Sequence, residues 1–228
     1  MIVIGHRGAR AIRPENTIVA LWEGSRCADY LEIDVRLSRD GVPVVIHDPT
    51  LDRTTDGTGL VSAYSVMELQ QYDAGEGEVI PTLASVLALD LGDCGLVIEL
   101  KEGGYEDLIA GMVQESGHTK VMIVSFDADC LRRIAPLLPD ARIGYIFRSM
   151  EGDPIQVASS IPAAALLPRS DLVTDDLVAA AHGAGLLVIG WTLNTEEEFA
   201  KAARLGIDGV ATDDPCRAWR YYHGGGMR

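Results

Sequence analysis

Two histidines stand among charged neighbours near the start of the chain: His6 in Gly5-His6-Arg7-Gly8, after an apolar run, and His47 in Val44-Val45-Ile46-His47-Asp48. An imidazole titrates near neutrality, so a pair of them can supply a base and an acid to one reaction. Between them lies Glu32-Ile33-Asp34-Val35, and further on comes Ile98-Glu99-Leu100-Lys101. In a strand, residues two apart project from one face, so Glu32 points with Asp34, and Glu99 with Lys101. Ionised groups facing a barrel interior are costly unless paired, hydrogen bonded or bound to metal, whereas on a solvated face they cost little. Three carboxylates suit a hard divalent cation, Mg²⁺ or Ca²⁺, and the lack of clustered Cys and His ligands disfavours structural zinc. Such a cation neutralises a phosphodiester oxygen and lowers the pKa of a coordinated hydroxyl. Arg7 can add a forked contact to phosphate and Lys101 a compact charge. Together these residues point to phosphoester chemistry.

Each piece has a plainer reading. A lone histidine is more often a structural hydrogen-bonding residue, an Arg beside Gly is usually a surface charge, and acids two apart often line a solvated face. Asp48 can orient His47 or simply start a turn before Pro49. Pro14-Glu15-Asn16-Thr17 reads as a helix start capped by Thr17, with Glu15 and Asn16 able to face a site. Phe126, Phe147 and Trp191 fall at strand ends, where they wall a pocket or pack in a core. His118, His182 and His223 fall on helical or tail positions and receive no catalytic role.

Short apolar runs that read as strands span 2–5, 31–35, 43–47, 96–100, 121–125, 142–147, 164–167, 186–191 and 208–211. The clearest helical patterns lie at 17–28, 82–90, 105–116, 128–137, 174–183 and 195–204, the last opening on Thr195 before Glu196-Glu197-Glu198. This alternation implies a parallel sheet, either doubly wound or closed. Position decides between them: His6, Asp34, His47, Lys101, Ser125 and Trp191 all fall at or just past the carboxyl ends of strands, as the catalytic face of a TIM-type (β/α)8 barrel requires. Gly5-His6-Arg7-Gly8 lacks the later glycine and the opening helix of a dinucleotide fingerprint. The reading is one catalytic domain over 1–228, with a small irregular excursion at about 49–81 over the barrel mouth.

With 228 residues, 47% of them hydrophobic, the chain can bury a sizeable core. No run approaches the roughly 18 apolar residues of a spanning helix, and the amino terminus has no leader pattern, so a cytoplasmic protein without stable membrane insertion is expected. Lys and Arg total 19 against 34 acids, a formal charge of -15, which argues against nucleic acid or anionic lipid as partners. A small anionic substrate then needs local positive charge from a metal, Arg7 or Lys101. Cys27, Cys94, Cys130 and Cys216 show no paired spacing and are expected to be reduced, mostly packed thiols.

Taken in order, His6-Arg7-Gly8, Pro14-Glu15-Asn16-Thr17, Glu32-Ile33-Asp34-Val35, His47-Asp48, Leu51-Asp52-Arg53-Thr54-Thr55, Pro81-Thr82-Leu83, Ile98-Glu99-Leu100-Lys101, Trp191-Thr192-Leu193-Asn194 and Gly209-Val210-Ala211-Thr212-Asp213 resemble the glycerophosphodiester phosphodiesterase family. The resemblance implies a TIM-type barrel that hydrolyses glycerophosphodiesters to sn-glycerol 3-phosphate and an alcohol with a divalent metal. It implies His6 and His47 as acid and base, Glu32, Asp34 and Glu99 as metal ligands, and Arg7 and Lys101 as phosphate contacts. Glu15, Phe126 and Trp191 are placed on the substrate side by their positions in the sequence, beside a helix start and at strand ends. The resemblance favours a cyclic phosphate, formed by the substrate's own hydroxyl, over direct attack by water. Two departures stand out. Leu166-Leu167-Pro168-Arg169 lacks the polar side chain often found there, and the excursion after His47 is short, about 30 residues. An open mouth and tolerance of several head groups are expected; turnover of one head group alone would count against it. Spacing alone also fits an isomerase or lyase that stabilises an enolate, and the charge of -15 fits a silent barrel acting as an acidic metal-binding or interaction module.

Overall fold

The structure, a computed structural model, describes residues 1–224. Among these residues nine strands form one sheet: β1 (Ile2–Gly5), β2 (Tyr30–Leu37), β3 (Pro43–Val45), β4 (Gly95–Leu100), β5 (Val121–Ser125), β6 (Arg142–Phe147), β7 (Ala165–Pro168), β8 (Leu187–Gly190) and β9 (Gly209–Thr212). Every residue of β4 and of β5 is buried, which fits their continuous apolar character, because a parallel sheet is covered on both faces. β1 pairs in parallel with both β2 and β9, so eight parallel strands close into the expected TIM-type barrel. β3 is the surplus strand. It runs antiparallel along the far end of β2, Val45 opposite Val35, and delivers the chain to His47.

The α-helices among the described residues are α1 (Ile18–Ser25), α2 (Val66–Leu69), α3 (Leu83–Leu87), α4 (Glu106–Ser116), α5 (Ala128–Ile134), α6 (Pro154–Ser159), α7 (Asp175–Gly183), α8 (Glu196–Leu205) and α9 (Pro215–His223). Thr17 caps α1 by accepting from the Ala20 N–H, and Thr195 with Glu198 forms a capping box on α8, a contribution of about 1 kcal/mol each. The helices α2, α6 and α9 lie outside the clearest patterns of the sequence. Two of them nevertheless carry a start signal, Asp153-Pro154 and Asp214-Pro215, with Asp as cap and Pro at the first position. α3 is shorter than the 82–90 pattern, and the end of the 128–137 pattern tightens into a 3₁₀ turn over Ala135–Leu137.

Inside the barrel, Ile4, Val97, Met122, Val124, Ile146, Leu167, Ile189 and Ala211 form an apolar plug, so the polar residues at strand ends sit on a packed floor. Strand alternation sends Phe147 the other way, into the helix layer with Leu177 and Phe199. It therefore does not wall a pocket. The excursion packs on its own small core of Val44, Ile46, Leu51, Val61, Leu69, Ala74 and Ile80. Gly8 is indispensable to the first turn: it has φ +83°, and a Cβ there would lie 2.6 Å from the Ala20 backbone.

Cys94 and Cys130 are buried thiols outside any disulfide, as expected, but Cys27 is disulfide bonded to Cys216. Their separation of 189 residues hid the pair. Closure of the barrel sets β1 between β2 and β9, and so brings the end of α1 against the start of α9. Such bonds persist mainly in oxidising compartments, which weighs against the cytoplasmic expectation. Reduction, or Cys27→Ser, is expected to cost about 2–4 kcal/mol, lowering Tm by about 4–16 °C for a domain of this size. Calorimetry with and without reductant checks this, and an unchanged Tm would show that the bond carries no stability. No helix among the described residues is long and apolar enough to cross a membrane.

Candidate active site

The turn after β1 makes the first half of the site. Arg7 and Asn16 both adopt left-handed backbone, φ 53° and 60°, a conformation uncommon for residues other than glycine. Both are turned toward the β2 carboxylates. The Arg7 N–H donates to Glu32 Oε2 at 2.8 Å, while its Nη1 donates to Glu15 at 2.6 Å and its Nε lies 3.3 Å from Asp34. Asn16 Nδ2 donates to Asp34 Oδ2 at 2.8 Å, and its Oδ1 accepts the Asp34 N–H at 3.3 Å.

Sheet register brings the acids together. Asp34 on β2 pairs with Glu99 on β4, Glu32 lies two residues before Asp34 on the same face, and one oxygen of each falls within 4.8 Å of the others. Lys101 Nζ bridges two of them, 2.7 Å from Asp34 and 2.5 Å from Glu99. Burial raises the Asp34 carboxyl, but Lys101 and Arg7 outweigh it and hold the group well below the usual carboxylate range. Burial, with Asp34 beside it, pushes Glu99 up to about 7. Burial also drives Glu32 far up, reinforced by the charges of Asp34 and Glu99. Glu32 Oε1 is buried with no hydrogen-bond partner. An orphaned oxygen among three buried acids is what a cluster short of positive charge looks like, and an oxygen-rich set of this kind fits a hard divalent cation.

Both histidines are backed by carboxylates. His6 takes its backbone position from an N–H···O bond to Thr212, and its Nδ1 lies 2.8 Å from Asp213. Asp213 is itself held by Asn194, whose Nδ2 donates at 2.9 Å. His47 is pinned beside β2 because the Ile46 N–H donates to the Asp34 carbonyl and Arg36 Nε donates to the His47 carbonyl. Its Nδ1 lies 2.5 Å from Asp48, as the sequence suggested. Arg53 braces that pair from the excursion, donating to Asp48 at 2.7 Å and to Glu15 at 2.8 and 2.9 Å. Burial would raise Glu15, but Arg53 and Arg7 bring it down to about 2. An ionised carboxylate only accepts, so each Nδ1 carries the proton and each Nε2 is left for a substrate. Burial lowers both imidazoles below their ordinary value, opposed by Asp213 at His6 and by Asp34 at His47.

His6, Arg7, Glu32, His47, Glu99 and Lys101 line one cavity of about 210 Å³ at the carboxyl ends of the strands, with Phe126, Arg148 and Trp191 completing its wall. Phe126 meets Trp191 edge to face at 5.7 Å, and Trp191 Nε1 donates to the Leu167 carbonyl at 2.7 Å. The sequence-derived set is thus brought together, with two members set back. Asp34 is fully enclosed by Lys101, Asn16 and Arg7, and Glu15 braces Arg7 and Arg53 instead of lining the cavity. From β7 only apolar Leu167 reaches the cavity; Arg169 turns away to Asp171. His118, His182 and His223 bond elsewhere, to the Leu87 carbonyl, Asp208 and the Trp219 carbonyl. Asp213, Asn194, Arg53 and Arg148 went unassigned in the sequence. Asp213 was the findable one, since it lies just past the last strand, where the other site residues also fall.

The closed barrel with this site on its C-terminal face defines a TIM-barrel enzyme. The chain belongs to the glycerophosphoryl diester phosphodiesterase family, whose model it matches over residues 6–217. A glycerophosphodiester phosphodiesterase of Caldanaerobacter subterraneus subsp. tengcongensis is 35% identical, over 94% of this chain and 94% of that protein. Another, of Bacillus altitudinis, is 32% identical over 95% and 96%. Among solved structures, an Oleispira antarctica phosphodiesterase in complex with its product sn-glycerol 3-phosphate superposes with a TM-score of 0.89 at 30% identity, covering 97% of this chain and 96% of that one.

Proposed function

We propose that this enzyme hydrolyses glycerophosphodiesters to sn-glycerol 3-phosphate and an alcohol, with His6 and His47 moving the protons and Glu32, Asp34 and Glu99 holding Mg²⁺ or Ca²⁺. One observation carries the reading: two imidazoles, each tied at Nδ1 to a carboxylate, share a cavity with a buried acidic cluster that has an orphaned oxygen. The family match and the product held by the Oleispira antarctica relative support it.

When bound, the cation supplies charge neutralisation at a phosphoryl oxygen and acidifies a hydroxyl. The protein's own groups do the rest. Arg7 and Lys101 add positive charge to the wall that the phosphate meets, and keep Asp34 ionised. One imidazole accepts at Nε2 the proton of the attacking hydroxyl as its oxygen bonds to phosphorus. The other enters the step protonated on both nitrogens, gives its Nε2 proton to the leaving oxygen as the phosphorus–oxygen bond to the alcohol breaks, and is left neutral; where the attacking hydroxyl is the substrate's own, water then opens the cyclic phosphate with the two imidazoles exchanging roles. Asp213 and Asp48 fix the tautomers and stabilise each imidazolium as it forms. With an apolar contribution from β7 and a short excursion, the site takes several head groups. The isomerase, lyase and silent-barrel readings have no observation in their favour. The test is a panel of glycerophosphodiesters incubated with purified protein and Mg²⁺ or Ca²⁺: release of glycerol 3-phosphate is expected, and its absence across the panel would reject the reading.

A further inference from the structure

The cavity has two chemically different sides. The acids, the histidines, Arg7 and Lys101 come from β1, β2, β4 and the turn after β3. Across from them stand Phe126 after β5, Arg148 after β6 and Trp191 after β8. Arg7 and Lys101 are committed to Glu15, Asp34 and Glu99. Arg148 enters none of the ion pairs among the described residues, and its guanidinium carbon sits 6.0 Å from the centre of the Phe126 ring. It is exposed, at the rim where a substituent of variable size can run toward solvent.

We propose that Arg148, seated on Phe126, selects glycerophosphodiesters whose alcohol carries an oxyanion and disfavours those whose alcohol carries a quaternary ammonium. The inference rests on the hydrolase reading above. A bare pair of aromatic rings would attract a quaternary ammonium to its faces. Here the Phe126 face already holds a cation, which repels a second and removes the ring's advantage. The same guanidinium presents a planar fork of donors that matches a carboxylate or phosphate. In a chain with a formal charge of -15, an anionic arm needs such a local cation to be tolerated at all.

The experiment compares kcat/KM for glycerophosphocholine, glycerophosphoglycerol and glycerophosphoglycerol phosphate in the wild type, Arg148→Gln and Arg148→Glu. The wild type prefers the phosphate-bearing alcohol over choline. Arg148→Gln lowers that preference about five- to tenfold, mainly through KM of the anionic substrate, as expected for one partly screened charge pair. Arg148→Glu reverses the preference, with glycerophosphoglycerol between the two extremes throughout. A parallel change for all three substrates, or no change, would overturn the role of Arg148 while leaving the hydrolase reading intact. A wild type inactive on all three would overturn the hydrolase reading, and this inference with it.

Discussion

His6→Ala and His47→Ala each lower turnover of glycerophosphodiesters by about 10²–10⁴-fold, the usual contribution of a positioned acid or base. The fold survives both changes, because the carboxylates left behind keep other partners. Asp213 remains bonded to Asn194, and Asp48 remains bonded to Arg53. Steady-state rates beside circular dichroism and Tm measure the two halves of this expectation. Activity within a few-fold of wild type in either variant, with the fold intact, removes that histidine from the proton-transfer role.

The second large effect is expected from metal removal. Three buried acids stand beside two cations, Lys101 and Arg7, and burial, reinforced by the neighbouring carboxylates, displaces both Glu32 and Glu99 upward. Chelation is therefore expected to abolish turnover, and Mg²⁺ or Ca²⁺ to restore it. A cation that binds only the folded state also raises Tm, by about 2.7 kcal/mol of stability at a hundredfold excess over Kd. Glu32→Gln should lose that rise, because the substitution replaces a ligand whose Oε1 has no partner in the protein. A full rate in excess chelator, or an undiminished metal response in Glu32→Gln, contradicts the metal assignment.

Local sequence revealed much of this site because barrel geometry is regular. A polar residue that interrupts an apolar run at its carboxyl end has one place to go, and so the strand pattern alone assembles His6, Asp34, Lys101 and Trp191. The two-residue spacing of Glu32 and Asp34 and that of Glu99 and Lys101 fixed their shared faces in the same way. What escaped depends on tertiary register. The Asp213–His6 bond spans 207 residues and the Cys27–Cys216 bond 189, and both exist because the last strand returns to the first. Arg53 reaches Glu15 and Asp48 only through the path of the excursion, whose small core no periodicity announced. Of the two readings open for Phe147, pocket wall or core, alternation selects the core: it ends a strand on the outward side, where Ile146 faces in.

The most direct test follows the phosphorus atom. In ³¹P NMR of a single glycerophosphodiester with metal-stripped wild-type protein, the diester resonance is expected to persist until Mg²⁺ or Ca²⁺ is added, and then to give way to glycerol 3-phosphate with release of the free alcohol. Accumulation of free glycerol and a phosphorylated alcohol, or conversion at the same rate before metal is added, would contradict the account.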